Sequence, residues 1–280
     1  MYHQFKELAD VDITKEPMEV GPAQHYVMGG VEVDPDTGES CVPGLFAAGE
    51  VSGGMHGSNR LGGNSLSDLL VFGRRAGVGA AEYIGRLGPK LPVADEGEIE
   101  AARAEALGPL QRPDGENPYA VHSDVQETMS NLVGIIRTET EIKKALAELD
   151  SLGVRAGAVA ATGGSAYNPG WHLALDLRNI MLMARCVASA ALERQESRGG
   201  HTRDDYPGMR PEWRKVNLVC ALEGDEIEIT RQPVPSMRED LIALFDRAEL
   251  KKYLTEEEMA ALPAEAQAPA SVAAVSEEKH

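Results

Sequence analysis

The stretch that decides the fold runs from residue 25 to residue 72 and reads HYVMGGVEVDPDTGESCVPGLFAAGEVSGGMHGSNRLGGNSLSDLLVF. Residues 26–34 predict a strand with a two-glycine break, and DPDTGE, residues 34–39, predicts the turn of a hairpin because Asp, Pro and Gly favour tight turns. LFAAGE predicts a second, short apolar strand. The glycine-rich HGSNRLGG that follows predicts a loop whose backbone can approach a ligand closely.

A helix is expected directly after this loop. Asn64 or Ser65 is expected to cap it, with Asp68 in its first turn. Its apolar positions recur at helical spacing and its small residues favour close packing on a sheet. The apolar positions are Leu66, Leu69, Leu70, Ala76, Ala80 and Ile84.

Beyond GPKLPVADEGE, a linker at residues 88–98, the pattern is mainly helical. One apolar stripe begins at Val121, a capping box at Thr138 and Glu141 opens a second helix, and a third helix is expected over residues 171–198. These three helices are expected to pack as a bundle. VNLVCALEGDEIEIT, residues 216–230, predicts a β-hairpin, and the Pro/Ala/Glu-rich residues 263–280 predict a disordered tail.

Composition excludes several classes of protein. The 280 residues carry a formal net charge of −18, which argues against nucleic-acid binding because that needs a basic face. The three cysteines form no CxxC pair, so neither a structural zinc nor an iron–sulfur cluster is expected, and they fit a reducing compartment. The sequence predicts no signal peptide and no transmembrane helix.

Four positions around the glycine loop are candidate ligand contacts. His25 could donate a hydrogen bond to an anion, or be an ordinary strand-edge histidine. Arg60 could grip a carboxylate with two prongs, or be a surface arginine of a flexible loop. Glu50, after Gly49, could accept hydrogen bonds from ligand hydroxyls, or be an exposed turn acid.

The start of the helix is the fourth candidate, because the amides of Ser65 and Leu66 point free N–H groups and the positive helix end at whatever precedes them; the alternative is a simple capped helix. His56 shares the loop and is expected to be structural. A polar cluster at residues 196–205, ESRGGHTRDD, is expected to lock a domain interface through charged hydrogen bonds rather than to act in catalysis.

Taken in order, HYVMGG, LFAAGE, HGSNRLGGNSL and ESRGGHTRDDYP resemble the flavoprotein subunit of succinate dehydrogenase and fumarate reductase. The likeness covers the chain up to its tail. Gly63 and Ser58 stand where family members often carry Ala or Ser and Ala, which are mild departures. Neither GxGxxG nor the early acidic ribose partner of a dinucleotide fold is present, so the chain is expected to correspond to the carboxyl-terminal portion of that flavoprotein.

The resemblance implies an α/β return segment of a FAD-binding domain followed by a mostly α helical-bundle domain with a terminal β-hairpin. The implied domains are the end of a capping domain or connector (residues 1–24), the carboxyl-terminal part of the FAD-binding domain (25–88), a helical domain (89–206), a terminal β-hairpin region (207–262) and the disordered tail (263–280).

By motif, the resemblance implies that His25 and Arg60 bind the substrate dicarboxylate, while Glu50, Ser65 and Leu66 contact FAD. It implies interconversion of succinate and fumarate by hydride transfer with FAD. The proton-transferring arginine is expected upstream of this chain, so no catalytic residue is expected within it. Neither the direction of the reaction nor covalent attachment of FAD can be predicted.

The resemblance further implies membrane anchor subunits and an iron–sulfur subunit as partners. It also implies a peripheral position on the cytoplasmic face of the cell membrane. Two alternatives stay open. The chain could be part of an L-aspartate oxidase-like flavoenzyme, which shares similar HY..GG and NRL..NSL motifs, or an inactive fragment that acts only as a docking module.

Overall fold

The structure, a computed structural model, describes residues 2–19, 21, 24–89 and 93–262, so the predicted disordered tail at 263–280 lies outside the described residues. The chain divides into two compact units after Gly88. Among the described residues, no helix is long and apolar enough to cross a membrane.

The first unit contains two α-helices, α1 (Tyr2–Ala9) and α2 (Asn64–Leu87), and a short 3₁₀ helix, Gly49–Val51. The predicted turn at residues 34–39 is present: the Asp34 carboxylate accepts hydrogen bonds from the amides of Asp36 and Thr37, and Gly38 has a φ of 72°. These contacts explain why DPDTGE reverses the chain, because Asp supplies the side-chain acceptor and Gly tolerates positive φ.

The predicted strands at residues 26–34 and 45–48 are wrong as continuous strands. Val31 pairs in parallel with Ser52, and two antiparallel bridges join Val33 to Ser40 and Glu39 to Phe46. Each bridge is isolated, because only single residues pair and no ladder extends from them. The two segments therefore cross each other at points rather than form a sheet.

The predicted cap of α2 is also wrong. Gly63 is the N-cap residue, with a φ of 84°, and no side chain caps the helix. Asn64 and Ser65 are already inside the helix, because the left-handed backbone at Gly63 starts it one residue earlier. Asp68 lies beyond the first turn and is 3% exposed.

The second unit begins with α3 (Glu96–Gln111), α4 (Pro118–Leu132), strand β1 (Ile136–Arg137) and α5 (Glu139–Gly157). It continues with α6 (Pro169–Glu193), β2 (Thr202–Arg203), α7 (Pro211–Arg214), β3 (Val216–Glu223) and β4 (Glu226–Pro233). Three short helices follow: α8 (Glu239–Ile242), α9 (Arg247–Leu250) and α10 (Glu256–Ala260). The sheets are two-stranded, with β1 parallel to β2 and β3 antiparallel to β4.

Helices α4, α5 and α6 pack against one another as the predicted bundle. Their shared core is apolar and nearly free of solvent, because the inward stripes of all three helices recur at helical spacing. Thr138 caps α5 by accepting a hydrogen bond from the amide of Glu141. The core includes Val121, Val125, Ile142, Leu149, Leu177 and Ala188, each at most 2% exposed.

Two boundaries of the second unit differ from the sequence expectation. The third bundle helix is Pro169–Glu193, not residues 171–198, because Asn168 caps its start and the chain turns at Arg194. The expected linker at residues 88–98 runs into α3, whose N-cap Asp95 accepts a hydrogen bond from the amide of Glu98. The hairpin with its turn after Glu223 is confirmed.

Candidate functional site

The chain around His25 is positioned by a close backbone approach. The Val31 amide donates to the Val51 carbonyl at 2.8 Å, and the Gly53 amide donates to the Val31 carbonyl at 3.0 Å. A Cβ on Gly30 would lie 2.3 Å from the Val51 carbonyl oxygen, so only glycine fits there. The segment that begins at His25 therefore runs beside the 3₁₀ helix.

Glu50 lies in that 3₁₀ helix and is exposed. Its Oε1 accepts a hydrogen bond from the Val27 amide at 3.0 Å. This contact ties the segment of His25 to the end of LFAAGE. The predicted ligand-facing acid thus uses one carboxylate oxygen to hold the backbone of its neighbour.

A polar cluster, called here the Tyr26 cluster, joins Tyr26, His56 and Asp68. The Tyr26 hydroxyl lies 3.2 Å from Asp68 Oδ2 and 3.3 Å from His56 Nε2, and His56 Nε2 lies 3.2 Å from the same Asp68 oxygen. Because an ionised carboxylate only accepts, both the phenol and His56 Nε2–H donate to Asp68. The cluster is largely enclosed, since the Asp68 side chain is 2% exposed and that of His56 is 10% exposed.

Arg60 stacks on this cluster. Its guanidinium carbon lies 4.4 Å from the centroid of the Tyr26 ring, which is a cation–π contact. Arg60 Nη1 donates to the Leu61 carbonyl at 3.1 Å, while the buried Nε has no hydrogen-bond partner. Within the described part of the chain, no carboxylate pairs with Arg60. Its positive charge is therefore available to a ligand.

Electrostatics keep the Tyr26 phenol protonated. Burial raises the pKa of Tyr26 above its ordinary value of 10, and the adjacent Asp68 and Glu50 carboxylates raise it further. The Arg60 guanidinium acts in the opposite direction and lowers it. At neutral pH, Tyr26 is thus a hydrogen-bond donor to Asp68, not a phenolate.

The two residues expected to bind an anion, His25 and Arg60, both adjoin Tyr26. The His25 ring is exposed, and its centroid lies 6.4 Å from that of Tyr26 in an edge-on arrangement. Among the described residues, no hydrogen-bond partner occupies the His25 ring. Tyr26 is therefore the ring that both residues share.

The start of α2 presents the amides of Ser65 and Leu66 as predicted, and the absence of a side-chain cap on Gly63 leaves them without an internal capping oxygen. The Leu66 side chain is 70% exposed. Among the described residues, the first helical turn thus carries backbone donors and an apolar surface side by side.

The second polar cluster, around residues 196–205, links segments of the second unit. Glu196 is fully buried and accepts hydrogen bonds from Arg194 at 2.8 Å, from Arg198 at 2.8 and 2.9 Å, and from the Arg210 amide at 2.8 Å. Its partners are long side chains from flanking turns. This network connects the end of α6 with the chain leading to α7.

Arg203 is the other buried charge of this cluster. It makes a two-pronged ion pair with Asp205 and donates to the Ala191 and Leu192 carbonyls at the end of α6. The Asp205 carboxylate also accepts from the Glu139 amide at 2.8 Å. The cluster therefore closes the carboxyl end of α6 and fixes the start of α5.

Sequence reasoning did not identify Tyr26 and Asp68 as members of the site. Tyr26 adjoins His25 in HYVMGG, and Asp68 lies inside the apolar stripe of α2, between Leu66 and Leu69. A charged residue within an apolar stripe was the available signal, because a buried carboxylate needs a partner. The partner itself, 42 positions earlier, follows from tertiary contact alone.

Comparison with known proteins identifies the family. A model described as "FAD binding domain" matches residues 1–66, and one described as "Fumarate reductase flavoprotein C-term" matches residues 122–248. The fumarate reductase (CoM/CoB) of Methanothermobacter marburgensis contains a relative that is 40% identical over 221 residues, which are 78% of this chain and 39% of that protein.

Two further relatives agree. The fumarate reductase flavoprotein subunit of Escherichia coli is 37% identical over 247 residues, covering 81% of this chain and 40% of its own length. The solved structure of Mycobacterium smegmatis Sdh1 in complex with UQ1 superposes with a TM-score of 0.85 at 56% identity, covering 94% of this chain and 44% of that one. The chain thus spans about two fifths of the length of its curated relatives.

These matches confirm the predicted fold class, and FAD as the cofactor of the family. The chain belongs to the flavoprotein family of succinate dehydrogenases and fumarate reductases, and it matches the carboxyl-terminal portion of that family.

Proposed function

We propose that this chain is the carboxyl-terminal part of a flavoprotein subunit that interconverts succinate and fumarate. One observation carries the proposal: Arg60 is a cation held on the face of Tyr26 without a carboxylate partner among the described residues. A small dianion is the ligand that such a guanidinium matches best, because its planar donors fit a carboxylate in two parallel hydrogen bonds.

His25 and Arg60 are the proposed ligands of one substrate carboxylate. Arg60 offers a two-pronged grip, and His25 adds a single hydrogen bond from an exposed ring. Both adjoin Tyr26, which supports their action on the same group. Together they would orient the dicarboxylate and neutralise part of its charge.

Glu50, Ser65 and Leu66 are the proposed FAD contacts, and their surroundings fit the group. The start of α2 lacks a side-chain cap, so the amides of Ser65 and Leu66 are available to an anionic or carbonyl acceptor. The exposed Glu50 carboxylate has one oxygen on Val27 and can accept from a hydroxyl with the other. When bound, FAD supplies the hydride acceptor and donor of the reaction.

The proton of the reaction is assigned to no residue of this chain. Among the proposed substrate residues, Arg60 is held by stacking and His25 is solvent-exposed, which suits binding. We propose that an arginine outside this sequence transfers the proton. His25 and Arg60 then act by holding the substrate in place while hydride and proton move.

The proposed partners are an iron–sulfur subunit that receives electrons and membrane anchor subunits that hold the assembly at the cytoplasmic face of the cell membrane. The family supports such an assembly, since solved relatives include a quinol fumarate reductase with menaquinol molecules. The acidic balance of this chain, with a formal net charge of −18, favours basic surfaces on those partners.

The decisive experiment compares Arg60→Ala with Arg74→Ala in the full-length flavoprotein reconstituted with FAD. Arg74 is an exposed arginine of α2 and serves as the matched control. We expect Arg60→Ala to lower kcat/KM for succinate by about 100-fold or more, because a charged two-pronged contact is lost. The control should retain wild-type kcat/KM.

Substrate choice tests the alternative enzyme class in the same assay. Equal losses in both arginine variants would contradict the proposed role of Arg60. Faster oxidation of L-aspartate than of succinate would instead assign the chain to an L-aspartate oxidase-like enzyme.

The docking-module alternative is tested on the 280-residue chain alone. Without a dinucleotide-binding region, we expect the purified chain to show little flavin absorbance and no succinate oxidation. Stoichiometric bound FAD would overturn that expectation.

A further inference from the structure

The geometry of the Tyr26 cluster points to a role that the substrate contacts alone do not explain. A guanidinium binds a carboxylate in two parallel hydrogen bonds only when its plane is correctly oriented. The Arg60 side chain has many rotamers, and in a glycine-rich loop it lacks neighbours that restrict them. Some other group must therefore fix the guanidinium plane before substrate arrives.

The Tyr26 ring supplies that surface. Its centroid lies 4.4 Å from the Arg60 guanidinium carbon, and stacking on an aromatic face restricts the guanidinium. The second contact, from Arg60 Nη1 to the Leu61 carbonyl at 3.1 Å, fixes rotation on that surface. Arg60 is thus held by a ring and a carbonyl while its charge stays unpaired among the described residues.

Tyr26 is itself held from behind. Its hydroxyl donates to Asp68, and His56 donates to the same carboxylate oxygen, so the ring is fixed at its far end. Asp68 projects from α2 and is buried, which makes it a rigid anchor. Donation to a carboxylate also makes the phenol ring more electron-rich, which strengthens its attraction for the Arg60 cation.

The unpaired oxygen of Asp68 supports a functional origin for this arrangement. Asp68 Oδ1 is buried and has no hydrogen-bond partner within the described residues. A buried carboxylate with one unsatisfied oxygen destabilises the folded protein. Such a group is typical of a site where positioning outweighs stability.

We propose that Tyr26 is a positioning residue for Arg60, and that Asp68 and His56 fix Tyr26 through its hydroxyl. This inference rests on the proposed role of Arg60 as a carboxylate ligand. It predicts that Tyr26 affects dicarboxylate affinity through Arg60 and not through direct contact with the ligand. The affinity for a dicarboxylate should therefore depend on the Tyr26 ring only while Arg60 is present.

The test is a double-mutant cycle in the FAD-containing full-length flavoprotein, with malonate as the dicarboxylate probe and its Kd measured by calorimetry. Tyr26→Leu removes the ring, and Tyr26→Phe keeps the ring but removes the hydroxyl. We expect Kd to rise about tenfold in Tyr26→Leu and about threefold in Tyr26→Phe, because the stack is lost or loosened. In the Arg60→Ala background, neither change should alter Kd further.

The outcomes separate the two proposals. If Arg60→Ala alone leaves the malonate Kd unchanged, the proposed substrate role of Arg60 is wrong. If Arg60→Ala weakens binding but Tyr26→Leu weakens it by the same factor in both backgrounds, only the positioning role of Tyr26 is wrong. Should Tyr26→Leu fail to fold, the cycle with Tyr26→Phe gives the same decision.

Steady-state kinetics supply an independent readout. A positioning residue that acts on ground-state binding should raise KM for succinate with little change in kcat. Asp68→Asn should have the effect of Tyr26→Phe, because both remove the charged hydrogen bond that fixes the ring. A fall in kcat without a change in KM, in all three variants, would overturn the inference.

Discussion

The guanidinium carbon of Arg60 lies 4.4 Å from the ring centroid of Tyr26, on the side of the ring that the loop presents to it. The hydroxyl of the same ring donates to Asp68 at 3.2 Å. A glycine-rich loop is thereby attached to a buried residue of α2. This contact converts a flexible segment into a defined cation-bearing surface, because the ring is fixed at one end and stacked at its face.

The Tyr26 phenol should respond in opposite directions to its two charged neighbours. Asp68→Asn should lower the pKa of Tyr26, because the carboxylate that raises it is neutralised. Arg60→Ala should raise that pKa further, since the guanidinium lowers it in the wild type. The measurement is a pH titration of ring-labelled tyrosine by NMR, with Tyr26→Phe assigning the resonance.

Asp36→Asn is the control for this titration, because Asp36 is an exposed carboxylate of the same unit that pairs with Arg75. It should leave the Tyr26 titration in place. A shift of the same sign in Asp68→Asn and Arg60→Ala would show that the two charges do not act on the phenol as the geometry requires.

The contact between Tyr26 and Asp68 marks the limit of what could be predicted from the sequence. The bundle helices were predictable because their apolar residues repeat at helical spacing, and the start of α5 because Thr138 and Glu141 form a recognisable cap. The pairing of Tyr26 with Asp68 has no periodic signal. It arises from the crossing of two segments that are distant in the chain.

The strand predictions failed for a related reason. Residues 26–34 alternate like a strand, yet a strand exists only where a neighbour supplies a ladder of hydrogen bonds. In the described residues the neighbours are single bridges at Val31 and Val33. The prediction of the candidate site used different information, because His25 and Arg60 occur in motifs whose order resembles a family.

Gly30 should be far less tolerant of alanine than its neighbour Gly29. A Cβ on Gly30 would lie 2.3 Å from the Val51 carbonyl oxygen and 2.7 Å from the Ser52 carbonyl carbon, whereas a Cβ on Gly29 meets no atom within 4 Å. We expect Gly30→Ala to destabilise the first unit by about 1–3 kcal/mol, since backbone must move apart. Urea unfolding followed by hydrogen exchange measures the difference.

Gly29→Ala is the matched control and should change the free energy of unfolding by less than about 0.5 kcal/mol. The two variants add the same methyl group one residue apart, so helix or strand propensity cannot explain a difference. Equal destabilisation by both would contradict the close approach of Gly30 to Val51.

Glu196 should be one of the most sensitive charges of the second unit. It is fully buried and accepts from Arg194, Arg198 and the Arg210 amide. Glu196→Gln removes the charge and leaves buried guanidinium groups without a counter-ion, which should cost about 3–5 kcal/mol. The free energy of unfolding, from chemical denaturation monitored by circular dichroism, tests this.

Glu193→Gln is the comparison for Glu196. Glu193 pairs with Arg231 near the surface, with 40% of its side chain and 56% of its partner's exposed. A solvent-exposed ion pair contributes about 0–1 kcal/mol, so this variant should be nearly neutral. A loss for Glu196→Gln no larger than for Glu193→Gln would mean that the buried network does not hold α6 to the following chain.

His201 should make the second unit less stable as pH falls from about 6.5 towards 4. Burial lowers the pKa of His201 to about 4, and the Arg137, Arg194 and Arg203 cations lower it further. Its Nδ1 accepts from Arg137 at 2.9 Å, so the ring has no free site for a proton. The unfolded chain, whose histidine titrates near 6.5, therefore binds a proton that the folded chain does not bind.

The sign follows from this difference. Because the unfolded state binds more protons in this window, stability decreases as pH falls, with a slope of up to about 1.4 kcal/mol per pH unit for one site. His201→Gln should flatten that slope, since an amide can accept from Arg137 and does not titrate. Asp205, whose pKa is lowered to about 2, contributes its own loss only below its unfolded pKa near 3.8.

His172→Gln supplies the control, because His172 is an exposed histidine of the same unit. Unfolding free energies at pH 7, 6, 5 and 4.5 should decrease in parallel for the wild type and His172→Gln, and by less for His201→Gln. The same slope in all three proteins would show that His201 is not held neutral. Since the ring donates from Nε2 to the Arg194 carbonyl while it accepts at Nδ1, protonation must break the contact with Arg137.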